Sequence, residues 1–155
     1  MEVPSKADWE ETWKHLDGPY AFRHFFGKTL PEALKLFQHC ALVYQEDLVY
    51  MPEKPFNYYV RAYVHYLASE RSRGDADAAN CFLGLVEIRL RDHPEWLDPS
   101  WGQIEPVLRK IAEKQVNFFD AEPSIYGDFS TKITSLLNKR AKAQDSSGGN
   151  SGQHG

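Results

Sequence analysis

The stretch from Pro55 to Ser72 restricts most strongly what this chain can become. Phe56, Tyr58, Tyr59, Val60, Ala62, Tyr63, Val64, Tyr66, Leu67 and Ala68 leave almost no polar surface around a helical cylinder. A helix that is apolar nearly all round has to be enclosed, so this one is expected at the centre, with neighbours on several sides. Its narrow polar stripe is Asn57, Arg61 and His65, at i, i+4 and i+8, which stack on one side.

The neighbours are readable from spacing. Ser5 opens a short helix carrying Trp9, Trp13 and Leu16, which Asp17-Gly18-Pro19 stops. Tyr20 to Phe26 forms a second short helix, closed by Gly27. Thr29-Leu30-Pro31-Glu32 reads as a capping box. From it Leu30, Leu34, Phe37, Ala41, Tyr44 and Leu48 run as one seam at alternating spacings of four and three. Pro52 and Pro55 end that helix near Tyr50.

Beyond the central helix, Gly74 and Asp75 make a turn into a helix from Ala76 to Arg91, with Ala79, Phe82, Leu83, Val86 and Leu90 inward. Opposite lie Asn80, Gly84, Glu87 and Arg91. Pro106 is expected in the first turn of a helix reaching about Phe119, with Val107 or Leu108, Ile111, Gln115 and Phe118 inward. A last helix spans Asp128 to about Lys142, and the glycine- and serine-rich residues after it are expected to be disordered. No alternating strand pattern of useful length occurs. The expectation is an all-α, compact single domain of six to seven helices over residues 1–142, followed by a polar tail at 143–155.

Charge narrows the function classes. Eighteen Lys and Arg stand against 22 Asp and Glu, a net charge of −4, which does not favour binding nucleic acid by neutralising phosphates. Residues 54 to 91 hold the only basic excess, and its Arg71, Arg73, Arg89 and Arg91 are scattered. No apolar run approaches the ~18 residues of a membrane span, and the first residues lack a signal-peptide pattern, so the expected location is the cytoplasm. Cys40 and Cys81 fall within apolar helical patterns and are expected as reduced core thiols.

Chemistry-bearing motifs are sparse. Six histidines include no H-x-x-x-H, and the two cysteines form no C-x-x-C, so no metal site and no cofactor are expected. There is no nucleophile elbow and no glycine-rich phosphate loop. Arg73-Gly74-Asp75 is read as a turn between helices.

Two candidate sites remain. One is the stripe of Asn57, Arg61 and His65 with Tyr58 beside it. Arg61 suits a carboxylate or phosphate, and Tyr58 supplies an aromatic wall; the alternative is a solvent face on which Arg61 pairs with Glu87. The other is the aromatic segment Tyr20, Phe22, Phe25 and Phe26, as a surface for a protein partner. The leading functional expectation is an interaction or regulatory module holding a protein partner, without catalysis. The alternative is a binder of, or an enzyme acting on, a small anionic ligand around Arg61 and His65.

Overall fold

A computed structural model describes residues 1–148. The described chain is all-α: α1 (Gly18–Phe25), α2 (Leu30–Val49), α3 (Glu53–Ala68), α4 (Ala76–Asp92), α5 (Trp101–Glu113), α6 (Pro123–Tyr126) and α7 (Phe129–Gly148). Three 3₁₀ segments, Lys6–Lys14, Glu70–Ser72 and Pro94–Ser100, join them. None of the described helices is long and apolar enough to cross a membrane.

The enclosed helix is α3. All but a few of its side chains are buried, and it packs against α2, α5 and all three 3₁₀ segments. Three of its tyrosines solve the problem that a fully surrounded helix creates for polar atoms, because their hydroxyls find acceptors at the end of α1 and at the start of α4. Tyr59 donates to the carbonyls of Phe25 and Lys28 at 2.8 and 2.7 Å, and Tyr63 to that of Ala78 at 2.5 Å. Tyr66 donates to the Asp75 carboxylate at 2.5 Å. Asp75 also caps α4 through the amide of Ala78, so one carboxylate starts α4 and ties it to the end of α3.

The seam of α2 faces inward as its spacing predicts. Thr29 and Glu32 form the capping box, and Phe37, Ala41 and Leu48 are buried. Phe37 stacks on Tyr63 with ring centres 5.0 Å apart. The helix is not continuous, since Cys40 leaves helical dihedrals at φ −161°, ψ 86°; nothing in the surrounding residues explains the break. Ala41 resumes the same inward face.

Three boundaries differ from the sequence expectation. Lys6–Lys14 winds as a 3₁₀ helix with three residues per turn, so residues four apart point roughly 120° away from each other. Trp9 and Thr12, three apart, are therefore the buried pair, while Trp13 and Leu16 stand exposed. Helix α5 starts five residues before Pro106 and ends at Glu113. Pro106 thus lies inside the helix, in its second turn and not its first, where its missing N–H removes one backbone bond, and the Pro94–Ser100 segment feeds directly into the helix. Finally, α7 continues past Lys142 to Gly148, so residues 143–148 of the expected tail are helical; the rest of that tail lies outside the described residues.

The C-terminal half is held by two buried polar side chains. Gln115 donates to the carbonyls of Ala121 and Gly127 at 3.0 and 2.7 Å, and accepts from the Phe129 amide at 2.9 Å. Arg140 of α7 is buried, meets Asp98 at 2.5 Å and lies 4.7 Å over the Trp101 ring.

Candidate functional site

Helix α1 shows how the aromatic segment divides. Ala21 and Phe25, four apart, point into the core and are fully buried. Phe25 is thus a core residue and not part of a surface, because it shares the inward face that closes on Phe37 and Tyr59. Phe22 and Phe26 lie one position further round, half-buried and exposed, and their rings stack at 4.5 Å. Trp13, which the 3₁₀ winding turns outward, extends the row, with its ring centre 5.2 Å from Phe22. Trp13 and Tyr20 are each 53% exposed and Phe26 is 41% exposed. Arg23 lies over the Tyr20 ring at 5.6 Å. Three rings from two elements therefore form a continuous outward-facing row, with Tyr20 on the same helix. Trp13 belongs to it and was missed because a period of 3.6 was assigned where the chain winds with 3.0.

The stripe on α3 runs from inside to outside. Asn57 is buried, its amide donating to the Glu53 carbonyl at 3.0 Å while its own carbonyl oxygen is enclosed and unpartnered. Arg61 is half-buried and lies 5.1 Å over the Tyr58 ring, and its Nε is enclosed without an acceptor. His65 is exposed. Among the described residues Arg61 makes no ion pair, and Glu87 is not its partner: Glu87 meets Lys139 of α7 at 3.4 Å. Glu87 instead lines a groove of about 670 Å³ between α4 and α7, with Asn80, Gly84, Lys132 and Lys139. The stripe and Glu87 thus face different parts of the molecule.

The scattered arginines separate as well. Arg91 is paired with Asp92 at 2.8 Å, and Arg73 with Glu70 at 3.0 Å. Arg89 is buried and belongs to no basic surface. The sequence held a signal for this, since Phe82, Val86 and Arg89 follow one another at spacings of four and three and so share the buried face of α4. The Arg89 guanidinium donates through Nη2 to the carbonyls of Leu48 and Val49, the last turn of α2. It lies 4.9 Å over Phe56 and 5.2 Å over Trp96, and burial lowers its pKa to about 10.

Arg89 lines a cleft of about 520 Å³. The exposed rim comes from Glu11 of the first 3₁₀ segment, His15 just after it, Glu53 of α3, and Asp92 and His93 at the end of α4. Tyr50, Met51 and Trp96 form the walls. The His93 ring stacks flat on Trp96 at 4.1 Å.

Other polar contacts are structural in character. His24 of α1 bonds the buried Asp47 of α2 at 2.7 Å. Gly74 takes φ +80° in the turn that Arg73-Gly74-Asp75 predicts, and its amide donates to the Phe118 carbonyl at 2.8 Å. Compared with known proteins, the chain matches no family, no curated protein and no solved structure.

Proposed function

We propose that this chain is a helical interaction module that holds the apolar face of a partner helix against the row formed by Trp13, Phe22 and Phe26. The observation that carries the reading is the row itself. Isolated apolar residues on a surface are ordinary, whereas contiguous exposed rings mark contact surfaces. Aromatic residues are enriched in interface cores and among the residues that dominate binding energy. The ring spacings of 5.2 and 4.5 Å match the roughly 5 Å rise of one helical turn, so side chains one turn apart on a partner meet successive rings. The module is assigned to the cytoplasm, where the half-buried thiols of Cys40 and Cys81 stay reduced.

The reading is tested by placing a photo-crosslinking residue at Tyr20 in cells, with Ile125, 75% exposed on α6, as the control position. The expected result is an adduct with another protein from position 20, lost when Trp13→Ser and Phe26→Ser are combined, in a chain whose melting is unchanged. An adduct insensitive to those substitutions, an adduct only with a second copy of the chain, or no adduct from position 20 overturns it.

A further inference from the structure

The cleft at Arg89 holds a buried charge whose neutralisation is incomplete. Desolvating a guanidinium is costly unless it is paired or its donors are satisfied. One edge of Arg89 is satisfied, because Nη2 caps α2 and gains from the negative end of that helix. Its Nε is enclosed with no acceptor, Nη1 donates to nothing among the described residues, and no carboxylate stands within ion-pair distance. A capping role alone accounts for one nitrogen of three.

Because Nε is enclosed, the cleft meets Arg89 through Nη1, and the surroundings define what would pair with it. The floor is cationic and walled by Tyr50, Met51 and Trp96, which suits a carboxylate on an apolar or aromatic body. The rim is acidic. Of its three carboxylates, Glu11 is paired with Lys14 at 2.6 Å and Asp92 with Arg91 at 2.8 Å, while Glu53 makes no ion pair among the described residues. A multiply charged anion such as phosphate would have to pass that rim, whereas a ligand bearing an ammonium beside its carboxylate is attracted by both. A volume of about 520 Å³ lies within the range of small-molecule sites.

We infer that the cleft bounded by Glu11, Glu53, Arg89, His93 and Trp96 binds a small zwitterion, an amino acid with an aromatic or large apolar side chain, through its carboxylate on Arg89 and its ammonium at Glu53. The site is distinct from the aromatic row of Trp13, Phe22 and Phe26 and stands without it.

The test uses the full chain labelled with ¹⁵N, reading the Arg89 Nε–H and Trp96 indole signals during titration with L-phenylalanine, 3-phenylpropionate, phenethylamine and inorganic phosphate. L-Phenylalanine is expected to shift both signals saturably. 3-Phenylpropionate, lacking the ammonium, is expected to bind roughly three- to fivefold more weakly, and phenethylamine, lacking the carboxylate, not at all. Absence of saturation with L-phenylalanine, equal binding of phenethylamine, or tighter binding of phosphate overturns the inference. Because Arg89 variants lose the α2 cap, the exposed Glu53 provides the second check. Glu53→Gln should weaken L-phenylalanine and leave 3-phenylpropionate unchanged or slightly tighter, so that the difference between the two ligands disappears; an equal effect on both ligands, or none, removes the ammonium contact.

Discussion

Gly18 lies directly against the backbone of Thr12: a β-carbon at position 18 would stand 2.0 Å from the Thr12 carbonyl oxygen. Both residues are buried, so neither the start of α1 nor the end of the 3₁₀ segment can withdraw without opening the core around Trp9. Gly18→Ala should therefore destabilise by about 1–3 kcal/mol, the usual range for overpacking a filled site. Gly84 is the internal control, being helical with nothing within 4 Å of an added β-carbon. Gly84→Ala should stabilise by about 0.5–1 kcal/mol through helix propensity. Urea unfolding of the two variants reads both signs, and equal effects would refute the close-approach argument.

Tyr63 joins three helices through one side chain. It stacks on Phe37 at 5.0 Å, meets Phe82 edge-on at 5.2 Å, and donates to the Ala78 carbonyl at 2.5 Å. Tyr63→Phe keeps the rings and removes the hydroxyl, at an expected cost of about 1 kcal/mol. Tyr63→Ala removes the rings too and should cost about 3–5 kcal/mol. Thermal and urea melts separate the two. A Tyr63→Phe loss as large as that of Tyr63→Ala would show that the hydrogen bond, and not the aromatic packing, secures the centre.

Gln115 satisfies three backbone groups of the Ala121–Phe129 connection with one buried amide. Gln115→Leu preserves volume but leaves two carbonyls and one amide unpaired, so a loss of about 3 kcal/mol is expected at roughly 1 kcal/mol per bond. Hydrogen exchange provides the local readout. The Phe129 amide should lose protection before amides in α3 do, and unchanged protection at Phe129 would contradict the assigned role.

Much of this fold is legible in the sequence because α3 announces itself: a helix apolar all round dictates that others surround it. Burial of Tyr59, Tyr63 and Tyr66 follows from that pattern. Their hydroxyl acceptors on Phe25, Ala78 and Asp75 do not, since each belongs to another element that only the packing brings to α3. Trp13 shows a second kind of limit, where the same spacing of apolar residues means opposite things at 3.6 and 3.0 residues per turn. Arg89 shows a third. Its place on the Phe82–Val86 face is readable, but charge suggests a surface, and only the aromatic pair of Phe56 and Trp96 with the end of α2 gives it an interior site. The cleft around it joins three stretches remote in sequence, near residues 11–15, 49–53 and 89–96, a relationship that no local periodicity encodes.

Asp47 provides a pH-dependent check. Burial raises its carboxyl above the ordinary value of 3.8, outweighing the hydrogen bond from His24. The half-buried Asp8 and the exposed Glu32 and Asp128 are held below their ordinary values, chiefly by hydrogen bonds from neighbouring backbone or side-chain groups. Those three contribute stability above their unfolded pKa and lose it as pH falls through the folded one; Asp47 works in the opposite sense, favouring the folded state increasingly as pH falls through its raised pKa. Asp47→Asn removes that second contribution and the charge partner of His24, and leaves the other three carboxylates in place. Relative to wild type, the variant should therefore lose ground as pH is lowered from about 5 to 3, below the ordinary histidine range. Urea unfolding across that window measures the difference, and a flat difference would show that burial does not shift Asp47.

Arg61 and Glu87 offer a last test because an attractive pairing between them is absent. Arg61 rests on Tyr58 at 5.1 Å, and Glu87 meets Lys139 at 3.4 Å with both side chains more than half exposed. In a double-mutant cycle, Arg61→Ala and Glu87→Ala should be additive within about 0.5 kcal/mol. The cycle of Glu87→Ala with Lys139→Ala should show coupling of at most about 1 kcal/mol, fading as salt is raised. Arg61→Ala alone should still destabilise, since it strips the stem and guanidinium from the Tyr58 ring. A measurable Arg61–Glu87 coupling would mean that α3 and α4 present these side chains to each other in solution, and would return the polar stripe of Asn57, Arg61 and His65 to the role of an internally neutralised face.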